Sequence, residues 1–419
     1  MGSEIPITLT LQDTLKIAMK SNIHVILAEE RVNQAISRIN ENRSHLYPQL
    51  NAETSQSRQT KNLSTVGISS GTGVVGPFDV FDARVKLSQT IFDLSAVERL
   101  KSAQAEAELS KYQEEQVRQD VLALAAIMFI DAKRSVQSVI FAQKQFDRDE
   151  MNLKVAQKKI QIGMITDVDV EEAQSVFMQS TVFLQTAKMQ AIEHRMDLLA
   201  MLGLPVENEI SLKWDSNEEM FQNDLDQDEN LSLETHPQII VADKSVQVSK
   251  IDQATEQAGY FPKFSLMSDY GLSTDLPQNS SPTYAIGIQA SVPLFEGGNR
   301  NARINKAKSR LRANQAQLED TKRQITASIL NQQEMIKQAQ SLLEQRRSEL
   351  TFAQKKIDLA RVRLDNGIGN DQDLKTAEAL LAANEDKKEE AIAVLLTARI
   401  NLAHARGKID QIFLPEPKE

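Results

Sequence analysis

Between Ile325 and Leu364, a ladder of mostly apolar residues recurs at alternating steps of four and three. They are Ile325, Ile329, Gln332, Ile336, Ala339, Leu343, Arg346, Leu350, Ala353, Ile357, Ala360 and Leu364. Such steps average about 3.5 residues, the period of a coiled-coil seam. A shift of 204 residues brings back the same ladder as Val121, Ala125, Met128, Ala132, Ser135, Val139, Ala142, Phe146, Asp149, Leu153, Ala156 and Ile160. The pattern predicts two very long helices, about 95–161 and 299–364. Each is roughly 100 Å long at about 1.5 Å per residue.

A different period precedes each long helix. Tyr284, Ile286, Ile288, Ala290, Val292 and Leu294 alternate with Ala285, Gly287, Gln289, Ser291 and Pro293. Phe81, Ala83, Val85, Leu87, Gln89 and Ile91 alternate with Asp82, Arg84, Lys86, Ser88 and Thr90. Phe264, Leu266, Ser268, Tyr270 and Leu272 mark a third face. Period two predicts strands with one apolar side. A fourth strand around Leu50–Ser57 is weakly patterned and rests mainly on the repeat.

The chain therefore reads as a two-fold repeat. A shift of 214 places Tyr47-Pro48 on Phe261-Pro262, a shift of 203 places Phe92 on Phe295, and a shift of 204 places Gly163 on Gly367 and Asp169 on Asp373. The extra residues of the first copy fall in a Gly/Ser-rich loop at 61–80, where length change is tolerated. The first repeat spans 9–204: an opening helix at 11–46, a hairpin at about 49–92, the long helix, and a returning helix at about 167–202. The second spans 233–407: an opening helix at 233–260, a hairpin at about 263–296, the long helix, and a returning helix at about 371–406. Opening helices end before Pro48 and Pro262, as the residue ahead of a proline disfavours helix. Ser95 with Glu98 is the predicted capping box of the first long helix. Thr166 and Asn370 cap the returning helices, whose first turns carry Asp167, Asp169, Asp371 and Asp373, and acid there suits the helix dipole. Between the repeats lies an acidic linker, 205–232, with the single tryptophan, Trp214; a tail follows at 408–419.

Composition sharpens this picture. Aromatics make up 5% of the chain, with 15 Gly and 11 Pro, as expected of a helix-dominated protein. A net charge of −10 argues against a nucleic-acid partner. No cysteine is present, which excludes disulfides and thiolate chemistry. The apolar run Val121–Ile130 stops at Asp131, short of the roughly 18 residues of a membrane helix. Met1-Gly2-Ser3 has no basic or hydrophobic leader character and reads as a non-native start on a mature chain. The five histidines (His24, His45, His194, His236, His404) lack ligand spacing. The acids Asp224, Asp226, Asp228 and Glu229 lack the glycine and terminal glutamate of a calcium loop. No nucleotide, zinc or nucleophile-elbow motif appears, so no cofactor, no metal and no enzymatic activity are expected.

Strands of this length with one apolar face fit a tilted bilayer crossing. Four strands cannot close a barrel, and open edges are not tolerated in lipid. Three copies would supply twelve strands and twelve helical rods. In this respect the sequence resembles the TolC-like outer-membrane factors. The resemblance rests on Leu46-Tyr47-Pro48, on Pro293-Leu294-Phe295-Glu296-Gly297-Gly298, on the turns at Gly163 and Gly367, and on Leu202-Gly203-Leu204-Pro205. It covers about residues 9–410 through order, spacing and duplication rather than any single motif.

The resemblance implies a mainly α fold with a β-barrel part: a trimeric twelve-stranded outer-membrane β-barrel continued by a twelve-helix periplasmic α-barrel. It implies an exit duct of a tripartite efflux pump or type I secretion system in a Gram-negative outer membrane. Implied partners are two further copies, a periplasmic membrane-fusion adaptor, an inner-membrane transporter of RND, ABC or MFS type, and outer-membrane lipid. It places Asp169 and Asp373, with Thr166, Asp167 and Asp371, at a periplasmic constriction, as carboxylate rings of a kind that selects cations. The alternative is that these acids only complement helix N-termini. Gly163, Met164, Gly367, Ile368 and Gly369 would form the adaptor-docking rim. The Tyr and Arg that tie the family's closed gate are Leu364 and Gly369 here, which implies other ties or a looser closure. Phe81, Tyr270 and Tyr284 would form one interfacial aromatic belt, and Tyr47, Tyr260, Phe261, Phe92 and Phe295 the other. The competing reading is a soluble coiled-coil scaffold, which leaves the alternating strands unexplained.

Overall fold

A computed structural model describes residues 7–62, 74–213, 235–274 and 281–409. The acidic run at 224–229, Trp214, residues 63–73 of the Gly/Ser-rich loop and most of the tail lie outside the described residues.

The elements follow in the order β1 (Ile7–Leu9), α1 (Leu11–Ser21), α2 (Ile23–Ser44), β2 (Gln49–Asn62), β3 (Val74–Phe92), α3 (Leu94–Gln161) and α4 (Asp167–Met201). Then come β4 (Ile210–Leu212), α5 (Pro237–Ala258), β5 (Lys263–Thr274), β6 (Ser281–Ser291), α6 (Asn299–Asp365) and α7 (Asp371–Ala405). The chain forms two compact bodies. One holds Met1–Glu29, Gln113–Ile240 and Asp320–Glu419; the other holds Glu30–Tyr112 and Val241–Glu319. Each body draws segments from both halves of the sequence.

The first body is helical, with a short parallel pair in which β1 lies beside β4. Its core gathers Leu15, Leu122, Phe129, Ile130, Leu198, Leu202 and Ile400. Every position of both seam ladders is buried or half-buried, so the period of about 3.5 faces inward throughout. On α3 the seam packs against α4: Phe141 meets Phe183 edge-on at 5.7 Å, and Phe146 meets Phe177 at 5.1 Å. Asp149 sits buried in this seam with both oxygens held by Arg148, at 2.8 and 3.0 Å. On its other side α3 runs antiparallel to α7, joined by Asp120–His404, Arg134–Glu390 and Ser138–Asp386.

The expected single opening helix at 11–46 is two helices. Asn22 adopts an extended conformation (φ −68°, ψ 130°). Its amide donates to Met201 O at 2.9 Å and its side-chain oxygen accepts from His24 N–H at 2.8 Å; Ser21 Oγ donates to Leu202 O at 2.7 Å. Contacts to residues 180 positions away break the helix, and local sequence does not announce them. The first long helix is also capped differently. Asp93, not Ser95, is the acceptor, taking Ala96 N–H at 3.2 Å and Ser95 Oγ–H at 2.8 Å.

His236 is buried in this body. Burial, and secondarily the neighbouring His404, hold its pKa below the usual imidazole value. The unfolded chain takes up that proton near pH 6.5, so His236 lowers stability as pH falls through that value toward its folded pKa. Thermal melts from pH 7.5 to 5.5 are expected to lose stability, and His236→Gln to lose less.

The second body is built on a four-stranded antiparallel sheet in the order β2-β3-β5-β6. Its register settles the faces. Leu50, Ala52 and Thr54 stand opposite Leu87, Val85 and Ala83; Val85 pairs with Tyr270, which pairs with Tyr284. Phe264 and Leu266 pair with Ala290 and Ile288. One sheet face thus gathers the apolar residues of β3, β5 and β6, joined on β2 by Leu50 and Ala52, and it lies open: Ile286 is 71% exposed. The other face carries Glu53, Asp82, Arg84, Lys86 and Asp269, cross-linked by Lys86–Glu53, Arg84–Asp82 and an Arg84–Asp269 pair at 2.6 Å. Among the described residues, β2 and β6 leave both outer edges of the sheet unpaired.

Three strand expectations change. β3 begins at Val74, well before Phe81. β6 ends at Ser291, two residues ahead of Pro293, whose missing N–H cannot extend a ladder. Phe81 stands opposite Thr274, four register positions from the Val85–Tyr270–Tyr284 row, so it does not share their level.

Candidate functional site

Two tight turns of the first body hold the acids and glycines singled out by the sequence. After α3, Gly163 takes φ +71°, a left-handed value that suits glycine. Its N–H reaches Ile160 O at 2.9 Å while Met164 N–H reaches Lys159 O at 3.0 Å, the paired bonds of a Schellman ending. After α6, Gly367 repeats this at φ +72°: its N–H reaches Leu364 O and the Ile368 N–H reaches Arg363 O, each at 3.0 Å. Gly369 N–H adds a bond to Arg363 O at 2.9 Å. A Cβ at Gly369 would lie 2.8 Å from Leu364 N, so this turn has no room for a side chain there.

The helices that follow are capped as predicted. Thr166 donates both its N–H and its hydroxyl to Asp169 Oδ2, each at 2.7 Å. These bonds hold the Asp169 carboxyl below the usual carboxylate range. In the second turn the cap runs the other way, with Asn370 Oδ1 accepting from Asp373 N–H at 2.8 Å. The two acids are therefore not equivalent. Asp169 is a charged member of a capping box; the Asp373 carboxylate makes no hydrogen bond or ion pair among the described residues.

Thr166, Asp167, Asp169, Asp371 and Asp373 are all exposed. So are Met164 and Ile368, beside Ile162 and Val168. Each turn thus presents carboxylates next to bare apolar side chains. Among the described residues no hydrogen bond or ion pair joins one turn to the other, and Leu364 and Gly369 supply none. No group of residues suited to a metal occurs among the described residues, and no described helix is long and apolar enough to cross a membrane.

The polar sheet face is a feature that the sequence reading left undeveloped. Its signal was present in the alternation Asp82-x-Arg84-x-Lys86, which places three charges on one side of β3. Gly271 belongs to it as well: a Cβ there would lie 2.3 Å from Arg84 Cβ and 2.5 Å from Ala83 O. The glycine leaves the space that Arg84 crosses to reach Asp269.

The sequence profile described as outer membrane efflux protein matches residues 15–204 and 230–408. The alkaline protease secretion protein AprF of Pseudomonas aeruginosa is 25% identical over 357 residues, covering 80% of this chain and 72% of that protein. Outer membrane protein TolC of Salmonella enteritidis is 21% identical over 400 residues, covering 90% and 77%. In structure the chain is similar to the CmeC outer membrane channel of Campylobacter jejuni, with a TM-score of 0.79 at 16% identity, covering 95% and 86%.

Proposed function

The chain belongs to the outer membrane efflux protein family and is an outer-membrane export channel; from that premise we propose that three copies close one continuous duct. The observation that carries this reading is the sheet. It has one face that is apolar on three strands and at the start of β2, a charge-paired opposite face, and two edges left open among the described residues. Three such sheets, joined edge to edge, give a twelve-stranded barrel with the apolar face toward lipid and the Arg84 ladder toward water. Unpaired edges of 14 and 11 residues would otherwise invite aggregation. The helices support the same stoichiometry. Val168, Met178, Val182, Met189 and Met196 leave an exposed apolar stripe along α4, and Phe352, Leu359 and Val362 leave one on α6. Two bare stripes on one chain suit a closed ring of copies.

In this duct each sequence half, 9–204 and 233–407, is one structural repeat. The turns at Gly163 and Gly367 form the periplasmic rim. Met164 and Ile368 offer apolar contacts to a periplasmic adaptor, which links the duct to an inner-membrane transporter. The chain moves substrate passively, and the transporter supplies the energy. Asp169 and Asp373, each present three times, place carboxylate rings at the constriction.

The test is a planar bilayer under a salt gradient. The wild-type protein is expected to form cation-preferring pores. Asp169→Asn with Asp373→Asn is expected to move the reversal potential toward zero, since a narrow site screens charge poorly. An unchanged potential would locate selectivity elsewhere in the duct. Failure to form pores at all would count against the channel assembly itself.

A further inference from the structure

Where β6 gives way to α6, the chain holds two apolar side chains almost wholly in the open: Leu294 is 93% exposed and Phe295 89%. The loop that carries them is bracketed. Glu296 takes two bonds from Arg300, Nε and Nη2 each at 2.9 Å. Arg300 is itself buried, lying under the Tyr260 ring at 5.2 Å. Tyr260 donates its hydroxyl to Asn301 at 2.7 Å. Gly259 makes room for the guanidinium, since a Cβ there would lie 2.1 Å from Arg300 Nη1. Gly297 and Gly298 take φ of +60° and +85°, which turns the chain sharply behind Phe295. A loop fixed this firmly, with a Leu and a Phe aimed outward, is a preorganised docking element.

The internal repeat identifies its occupant. A shift of 203 residues places Ile91-Phe92-Asp93 on Leu294-Phe295-Glu296. In the first copy this corner lies at the end of β3 and is flanked by the next strand, which brings Phe92 down to 43% exposed against 89% for Phe295. Phe92 stands opposite Phe264 of β5, with ring centroids 6.4 Å apart, and Asp93 pairs with Lys263 at 3.0 Å. In the second copy β6 is an edge, so among the described residues no strand flanks Phe295. A shift of 214 carries Phe264 back to Leu50 and Lys263 back to Gln49, at the start of the other edge strand, β2. Leu50 is 69% exposed, and Tyr47 beside it is exposed too. The end of β6 and the start of β2 lie at the same end of the sheet. An antiparallel junction between copies brings them together.

We propose that Leu294 and Phe295 form the subunit lock: they seat on Leu50 and Tyr47 of a second copy, as Phe92 seats on Phe264 within one chain. This rests on the trimer reading above and names its contact.

The cysteine-free sequence makes the test direct. Phe295→Cys combined with Leu50→Cys, treated with a short bismaleimide in membranes, is expected to give covalent dimers and trimers on a denaturing gel. Phe92→Cys with Phe264→Cys, the pair within one chain, is expected to react without a ladder. A protein that is trimeric by mass yet gives no ladder from the 50/295 pair overturns the lock and leaves the trimer standing. A protein that is monomeric by mass overturns the trimer and the lock with it. Lipid is the rival occupant. In a Trp214→Phe background, Phe295→Trp is expected to resist quenching by brominated-chain phospholipid, and loss of more than half its fluorescence would assign the loop to the bilayer instead.

Discussion

Leu343→Asp is expected to cost more than about 3 kcal/mol of stability. Leu343 is a buried member of the α6 seam, flanked one step away on each side by Ala339 and half-buried Arg346. Truncating a buried leucine costs about 2–5 kcal/mol through lost transfer energy and the cavity left behind. Aspartate adds a charge in the seam whose nearest cation, Arg346, is already paired with Glu349 at 2.8 Å, and desolvation makes that worse. Asp149 illustrates what the seam requires of an acid, since both its oxygens are held by Arg148. The neighbouring Glu344→Ala is the control. Glu344 is exposed and pairs only with Arg347 at the surface, and such pairs contribute about 0–1 kcal/mol. Thermal or denaturant unfolding distinguishes them; equal stability of the two variants would contradict the seam.

Gly271→Ala is expected to be nearly as damaging in the sheet, while Gly287→Ala is expected to be silent. The added Cβ at 271 would meet Ala83 O at 2.5 Å and Arg84 Cβ at 2.3 Å, both parts of a paired strand with little freedom to move. Overpacking of this kind costs about 1–3 kcal/mol, and displacing Arg84 would also strip Asp269 of its partner. A Cβ at Gly287, one strand away, meets nothing within 4 Å. The readout is the temperature at which the β-sheet signal is lost. If both variants melt alike, the polar face is not packed as described.

The parts legible in the sequence share a cause: each periodicity gathers apolar residues on one side of an element, a buried side on the long helices and an open one on the sheet. The seam could be read because α3 and α6 bury the same step along dozens of residues, and the apolar sets of β3, β5 and β6 because pairing aligns them on one face. β2 was faint because its residues are nearly all polar or small, so its place came from the repeat. The break at Asn22 was invisible because its cause is Met201 and Leu202, far along the chain. Ser95 looked like a cap, but Asp93 sits two residues earlier and accepts more strongly as a carboxylate. Phe81 was misplaced because strand register, not spacing within one strand, sets its level. At the turns, Thr166 and Asn370 were legible as caps, while the bonding of Thr166 to the Asp169 carboxylate went unread. The Arg300 bracket went unread, although Glu296-x-x-x-Arg300 at helical spacing and Gly259 were its visible signs.

Assembly is the central claim, because an apolar sheet face with two open edges is stable in a bilayer only when the ring closes. The mass of the protein extracted in mild detergent, corrected for bound detergent, tests it most directly. Three times the 46.9 kDa chain mass, with the full helical and sheet signal, is the predicted result. A monodisperse particle of one chain mass, equally folded, would contradict it.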